Sequence, residues 1–303
     1  MSLANLTPTL SKWFNRQDWL DRFAKPVQSL VTQLFNNGGV VGKKIANFLN
    51  GTWLGHPLHS VITDVPVGAW TAAITLDAME ASTGRKGIGQ AADAAVALGV
   101  ASAASAAVAG FADWQHTTGE SRRVGFTHAL LNTLALGLYV SSMVARSSRQ
   151  RSLGRALALA GFGVVSASAY LGGDLVYRLK VGIDHSPERS DIKADDYQAI
   201  LPASNLPENQ LYRAQLNDIP LVLLRRGERV YALAATCAHL GGPLNEGELQ
   251  EDPQGQPVVV CPWHGSRFNM QTGAVLDGPS AYPEPCFDAR IRNGQVEVRH
   301  QIV

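Results

Sequence analysis

Three stretches of this chain are apolar over too great a length for an ordinary soluble fold. Ala94 to Ala112 is 19 residues without a charge, Val124 to Ala145 has only His128 as an ionisable group, and Ala156 to Gly173 is uncharged. At ~1.5 Å per residue such helices reach ~27 to 33 Å, the thickness of a bilayer's hydrocarbon core. A weaker fourth span runs from about His59 to Met79; only 12 uncharged residues separate Asp64 from Asp77, so crossing requires both carboxylates to face the bundle interior. Gly99, Ser102, Ser105, Gly110, Gly161, Gly163, Ser166 and Ser168 suit close helix approach in lipid. A soluble Ala-rich bundle would need polar faces that these runs lack. Residues 184 to 303 have ordinary soluble composition, so the chain divides into a membrane part and an aqueous part.

The aqueous part carries two Cys and two His in a distinctive order: Cys237-Ala-His239-Leu-Gly-Gly-Pro243, then 17 residues, then Cys261-Pro-Trp-His264-Gly-Ser266. Tetrahedral zinc also takes two Cys and two His. In a zinc finger, however, the Cys come paired and the His come paired, whereas here each half supplies one of each. A 2Fe-2S cluster with both thiolates on one iron and both imidazoles on the other needs this mixture.

Residues 197 to 300 resemble a Rieske 2Fe-2S domain. The likeness extends to His239-Leu240-Gly241-Gly242-Pro243-Leu244, to Pro262-Trp263-His264-Gly265-Ser266-Arg267-Phe268, to Gly273 and to Gly278-Pro279 in the family's proline loop. It implies that Cys237 and Cys261 bind one iron and His239 and His264 the other. It further implies that Ser266 tunes the cluster and that Leu240, Gly241, Pro243, Gly265 and Pro279 shape the tip where a partner docks. Rieske proteins of cytochrome bc complexes carry one more Cys in each ligand loop, joined as a disulfide; here those places read Gly242 and Trp263. They also have a Tyr where this chain has Phe268. Hydrogen bonds to the cluster raise its potential, so a value below that of quinol-oxidising proteins is expected, closer to a Rieske ferredoxin. With three Cys in all, no disulfide framework forms, and Cys286 reads as a small buried apolar residue in a terminal strand.

Around the ligands, short β-rich segments are expected at 197–200, 211–214, 219–225, 230–234, 258–260, 289–292 and 295–299, with turns at Arg226-Gly227, Asp252-Pro253 and Asn293-Gly294. Asn293-Gly294 is a strong hairpin signal. The expected fold is multidomain α + β: an N-terminal all-α four-helix transmembrane bundle with interfacial helices, and a C-terminal all-β antiparallel domain.

Four spans place both ends of the helical segment on one side. His56, His59 and Asp64 lie at the start of the first span, Asp113 and His116 close the second, His128 and Asn132 open the third, and Tyr170, Asp174 and His185 close or follow the fourth. Ionisable groups at membrane depth mark a functional site by default. His56, His59, Asp64, Asp113, His128 and Asp174 are therefore candidates for an axially held haem b, a quinone pocket or a structural His–Asp network. Gly55-His56-Pro57-Leu58-His59, Asp64-Val65-Pro66-Val67-Gly68, Ala112-Asp113-Trp114, His128-Ala129-Leu130-Leu131-Asn132 and Gly172-Gly173-Asp174-Leu175-Val176-Tyr177 make residues 50 to 183 resemble an uncharacterised four-helix membrane domain often fused to Rieske domains. That family implies a fold and no settled activity.

Before the spans, Trp13, Phe14, Trp19, Leu20 and Phe23 interleave with Lys12, Arg16, Arg22 and Lys25, and Val27, Leu30, Val31, Leu34 and Phe35 form a second apolar helix face beyond Pro26. Both read as interfacial helices lying on the bilayer, with packing on the soluble domain as the alternative. No signal peptide is recognisable. Residues 1–50 are thus expected to be interfacial, 51–180 the transmembrane domain, 181–196 a charged linker and 197–303 the cluster domain. Basic residues near the spans balance on the two sides, so the positive-inside rule gives no orientation. The lack of a disulfide and of a twin-arginine signal, of which Ser121-Arg122-Arg123 is only an echo, favours a cytoplasmic cluster domain on a bacterial inner membrane.

The net charge of +1 gives no case for nucleic acid. A single-electron carrier or oxidoreductase component working between a redox partner and a membrane-embedded haem or quinone is expected, with a redox sensor or ferredoxin-type subunit as the alternative and a homo-oligomer left open. A Rieske oxygenase would add a mononuclear iron held by two His and a carboxylate; only 39 residues follow His264, with His300 their single His.

Overall fold

The computed structural model describes residues 6–187 and 196–300. Glu188, Arg189, Asp191, Lys193 and Asp195 of the expected linker lie outside the described residues. The chain divides into two compact units, one holding the helices up to Gly42 together with Pro57–Val181, the other Lys43–His56 together with the chain from Gly182 onward.

The helical unit begins with α1 (Leu6–Asn15), a short 3-10 turn at Asp18–Leu20 and α2 (Asp21–Asn37); α3 (Gly39–Asn50) follows and runs on into the other unit. The expected break at Pro26 is not observed. The chain turns at Arg16–Gln17, and Pro26 sits inside α2, where it forgoes one intrahelical hydrogen bond. The expected aromatic face also divides. Phe14, Leu20 and Ala24 are buried against Trp114, Val124, Phe126 and Leu171, whereas Trp13, Trp19, Phe23, Leu30 and Leu34 remain exposed. Arg122 and Arg123 fix this packing by reaching Asp21 at 3.1 and 3.0 Å. Burial works against the Asp21 charge, yet hydrogen bonds from Arg123 and Arg122 outweigh it and hold the carboxyl at about 2.

A five-residue helix, α4 (Leu58–Ile62), leads into four long ones: α5 (Asp64–Thr83), α6 (Lys86–Trp114), α7 (Gly119–Ser147) and α8 (Arg151–Tyr177). Gly84 ends α5 in the left-handed region at φ +67°, a conformation that costs a side chain dearly. Among the described residues, three helices are long and apolar enough to cross a membrane: Gly87–Trp114, Gly119–Ser147 and Arg151–Tyr177. The expected first span is not among them. Its stretch is divided at Thr63 into α4 and α5, and α5 carries Asp64, Asp77 and Glu80; Asp77 is buried, but Asp64 is exposed rather than turned inward.

Small residues let α5 to α8 meet closely. Trp70 stacks on Tyr139 with ring centroids 4.0 Å apart, packed with Ala73, Val96, Ala135 and Ala158. A Cβ at Gly99 would come within 2.2 Å of the Trp70 ring, and one at Gly161 within 2.9 Å of Tyr139. At one end of the unit Arg146 bonds Asp77 and Asp93, Arg151 bonds Glu80 and Asp93, and Arg155 bonds Glu80, so three guanidinium groups meet three carboxylates. Leu98, Val108, Leu130, Leu134, Val144, Leu153 and Leu159 face outward. Exposed leucine and valine on this scale suit lipid.

The other unit is antiparallel β. One sheet has the order β1 (Gln198–Pro202), β10 (Gln295–His300), β9 (Cys286–Arg292), β4 (Arg229–Ala234), β3 (Ile219–Arg226), β2 (Leu211–Leu216). A smaller sheet runs β5 (Glu248–Glu251), β6 (Pro257–Val260), β7 (Arg267–Asn269), β8 (Val275–Asp277). The β9–β10 hairpin turns on Asn293 and Gly294, with φ +51° and +75°, as a type I′ turn requires. Strand β3 is buried on both faces: Leu221 and Leu223 join one core, Val222 and Leu224 the other, which explains its unbroken apolar sequence. The second core also takes in Cys237, Leu244, Val259, Cys261, Phe268 and Met270, so packing of the large sheet against the small one reaches the two cysteines.

Candidate metal centre

The two ligand loops are closed by the same pair of backbone bonds. In the first, Cys237 N–H donates to the Gly242 carbonyl at 2.8 Å and Gly241 N–H returns to the Cys237 carbonyl at 2.8 Å. In the second, Cys261 N–H donates to the Ser266 carbonyl at 2.8 Å and Gly265 N–H to the Cys261 carbonyl at 3.1 Å. Each turn places a glycine four residues after its cysteine with φ of +79° or +76°, which is why Gly241 and Gly265 are glycines. The shared turn buries both cysteines and leaves both histidines half-buried.

Four of the expected ligands thus come together as two pairs. The Cys237 and Cys261 side chains lie close enough for each to move the other's titration. The His239 and His264 rings meet edge to face with centroids 5.0 Å apart. The Cys261 thiol is drawn below its ordinary value, first by the Cys237 side chain, against the opposing effect of burial, and then by the backbone N–H groups of Trp263 and His264. Burial pushes His264 below the ordinary imidazole range, leaving the ring neutral with a lone pair to give. Among the described residues, no three His, Cys, Asp or Glu side chains converge to hold a single ion. Paired cysteines with paired histidines fit a two-iron cluster better than one tetrahedral zinc.

The surroundings are close-fitted. Ser266 is fully buried, and its Oγ accepts the Ser280 N–H at 3.0 Å. Phe268 is fully buried in the core behind the cysteines. Trp263 is 56% exposed, and a Cβ at Gly242 would fall 2.8 Å from Cys261 Sγ and 3.2 Å from the Trp263 ring. Leu240, Gly241, Pro243 and Pro279 are half-buried and Gly265 is exposed. Cys286 is half-buried, its thiol donating to the Gln271 carbonyl at 3.2 Å; burial pushes it up to about 11.

Several neighbours of the centre had no signal in the ligand motif. Glu284 is 1% exposed, and its Oε1 accepts the N–H of Ala238, between Cys237 and His239, at 2.7 Å. Burial raises its pKa well above the usual carboxylate range, with the Ala238 bond opposing. Its position in Tyr282-Pro-Glu284-Pro, an acid confined between prolines, was the available hint. The stretch expected to act as a tether starts with contacts to the same region: His185 N–H donates to the Ala238 carbonyl at 2.9 Å, and the Tyr282 hydroxyl to the Gly182 carbonyl at 3.0 Å.

The membrane-site candidates divide. His59 and His128 meet with ring centroids 6.5 Å apart, each donating from Nδ1 to a carbonyl, Ala106 at 2.8 Å and Ser168 at 2.9 Å. Gly110 and Gly172 make room, since a Cβ at either would come within 2.9 and 3.1 Å of these rings. Asn132 Nδ2 donates to His128 Nε2 at 3.0 Å. Asp113 lies on the face of α6 that carries Ala106 and Gly110. Asp64 and Asp174 do not join them. His56 belongs to the β unit, edge to face with Tyr282 at 6.1 Å; Asp64 is exposed; and Asp174 pairs with Arg178 one turn on. Haem ligation needs a free Nε2 on both rings, and the bond from Asn132 to His128 does not fit it.

A two-sheet β module offering two thiolates and two imidazoles from twin turns is that of a mixed-ligand iron–sulfur protein. Residues 196–288 match the Rieske 2Fe-2S domain family and residues 55–185 a family described as predicted membrane protein (DUF2231). The ferredoxin CarAc of Metapseudomonas resinovorans is 32% identical over 100 residues, covering 33% of this chain and 89% of that protein. The cytochrome b6-f complex iron-sulfur subunit of Chlorobaculum tepidum is 28% identical over 112 residues, 37% of this chain and 58% of that subunit. A solved complex of reduced oxygenase and oxidised ferredoxin in carbazole 1,9a-dioxygenase is similar at 29% identity and a TM-score of 0.31, over 35% of this chain and 97% of that one. The chain belongs to the Rieske 2Fe-2S domain family and joins that domain to a predicted membrane domain.

Proposed function

We propose that this protein carries single electrons between a redox partner and a site in its membrane domain, on a bacterial inner membrane with the Rieske domain on the cytoplasmic side. The supporting observation is the pairing of two buried thiols with two half-buried imidazoles on turns of one shape. Cys237 and Cys261 would hold one iron and His239 and His264 the other. The cluster, when bound, supplies one-electron oxidation and reduction. Ser280 fixes Ser266 Oγ as an acceptor, and the hydroxyl proton is left available to donate to the cluster or its ligands. Phe268 offers no second hydroxyl, a feature of a ferredoxin-like potential. Leu240, Gly241, Pro243, Trp263, Gly265 and Pro279 form the surface a partner meets, and that partner is a protein of the kind ferredoxins and iron-sulfur subunits serve.

For the membrane end we favour a quinone beside His59 and His128. A haem b there would require Asn132 to release His128. One set of measurements tests both halves: EPR and visible spectra of detergent-solubilised protein. The unaltered protein should give a reduced-state Rieske EPR signal that His239→Ala or His264→Ala abolishes, and an unchanged signal in either variant refutes the ligand assignment. A Soret band with a split visible pattern on reduction would establish haem in place of the quinone.

A further inference from the structure

The proline loop of the β unit is held from outside by a segment more than 200 residues away in sequence. Asn47, on α3, bonds it twice: Nδ2 donates to Asp277 Oδ1 at 2.9 Å, and Oδ1 accepts the Gly278 N–H at 2.9 Å. Lys43, one turn earlier, reaches Asp277 Oδ2 at 2.9 Å, and Arg267 reaches the same oxygen at 2.7 Å. Asn50 and Thr52 close over Gly278, where an added Cβ would lie 3.2 Å from Asn50 Nδ2 and 3.1 Å from Thr52 Cγ2. Asn50 is 4% exposed, as a packed residue of a built interface should be.

These bonds continue inward. Two residues beyond Gly278, Ser280 N–H donates to Ser266 Oγ, and the Ser266 carbonyl accepts Cys261 N–H. A shift at Asn47 therefore reaches the Ser266 hydroxyl, in the second ligand turn, through two hydrogen bonds.

We infer that Asn47 is a positioning residue for the cluster: α3 holds the proline loop so that Ser280 keeps Ser266 oriented, and the N-terminal segment thereby sets the cluster's reduction potential. The inference rests on the ligand assignment proposed above. Side-chain amide bonds to a main-chain N–H and a carboxylate fix both position and direction, which Lys43 as a single point charge does not. Loss of an ordered hydroxyl donor near the cluster lowers its potential.

The test uses the full-length protein with Asn47→Ala, and with Lys44→Ala on the exposed side of the same helix as the control. Potentials are read by EPR-monitored titration, and amide hydrogen exchange is followed at Gly278 and Ser280. Asn47→Ala should lower the potential, alter the g values and speed exchange at both amides, while Lys44→Ala should match the unaltered protein. A variant that keeps its cluster with unchanged potential and g values overturns the inference. Should Asn47→Ala lose its cluster, exchange is compared between the two apoproteins, and equal rates at Gly278 and Ser280 overturn it as well. Absence of a Rieske signal from the unaltered protein would count against the ligand assignment instead.

Discussion

Gly242 and Trp263 occupy the places where bc-type Rieske proteins carry a second pair of cysteines, and here they are matched to each other. The indole lies where a side chain at 242 would have to go, so a large residue in one loop requires the smallest in the other. Phe268 makes a different trade, filling the core completely and giving no hydroxyl to the centre. Phe268→Tyr should therefore raise the reduction potential. A net hydrogen bond of about 1 kcal/mol corresponds to roughly 40 mV for a one-electron couple. An EPR-monitored titration reads this directly, and an unmoved potential in a cluster-loaded variant would contradict it. Glu284 marks the limit of what ligand spacing can reveal, because its role depends on a fold that returns residue 284 to the amide of residue 238.

Among the elements, α3 departs most from its sequence reading. It fell within residues 1–50, expected as a block to be interfacial, with no helix of its own read there; Val41, Ile45 and Phe48 are exposed. The opposite face, carrying Lys43 and Asn47, holds Asp277 and Gly278. Burial works against the Asp277 charge, but hydrogen bonds from Lys43, Arg267 and Asn47 outweigh it and keep the carboxyl below its usual range. A carboxyl lowered in the folded state stabilises it above the unfolded pKa of about 3.9, and that contribution is lost as pH falls through the lowered value. Thermal bleaching of the visible absorbance should thus come earlier below about pH 4, with Asp277→Asn already lowered by roughly 2–5 °C at pH 7 and less sensitive to acid. A variant that bleaches at the temperature of the unaltered protein at each pH would exclude this contribution. The seven strands with apolar alternation or continuous apolar sequence were legible from the chain. Strands β5, β7 and β8 were not: Glu248–Glu251 is mostly polar, and three-residue strands such as Arg267–Asn269 are too short to show a period. Those three, with β6, make up the small sheet from which the second ligand loop springs, so the motif announced the site better than the pattern announced its support.

At the scale of the whole molecule, each unit has a core of its own among the described residues. Trp70, Tyr139 and the alanines around them share no buried cluster with Leu221, Leu223 or Phe287. Cys261→Ser is accordingly expected to lose the cluster's visible absorbance while staying with the membrane fraction after a carbonate wash. Release into the supernatant would show that cluster and membrane part depend on each other for folding. Of the charged groups of α5 to α8, Asp77 was expected to turn inward and does, but its arginine partners were not foreseen. Arg146, Arg151 and Arg155 counted as topological signals, yet the fold neutralises them against Asp77, Glu80 and Asp93.

That the cysteines lie deeper than the histidines has a kinetic corollary. Within the β unit the two cysteines are buried, the two histidines are only partly covered and the Trp263 indole is exposed, so the imidazoles are the more accessible pair for a partner to meet. Traffic through such a terminal is governed by how often visitors arrive and how well they fit.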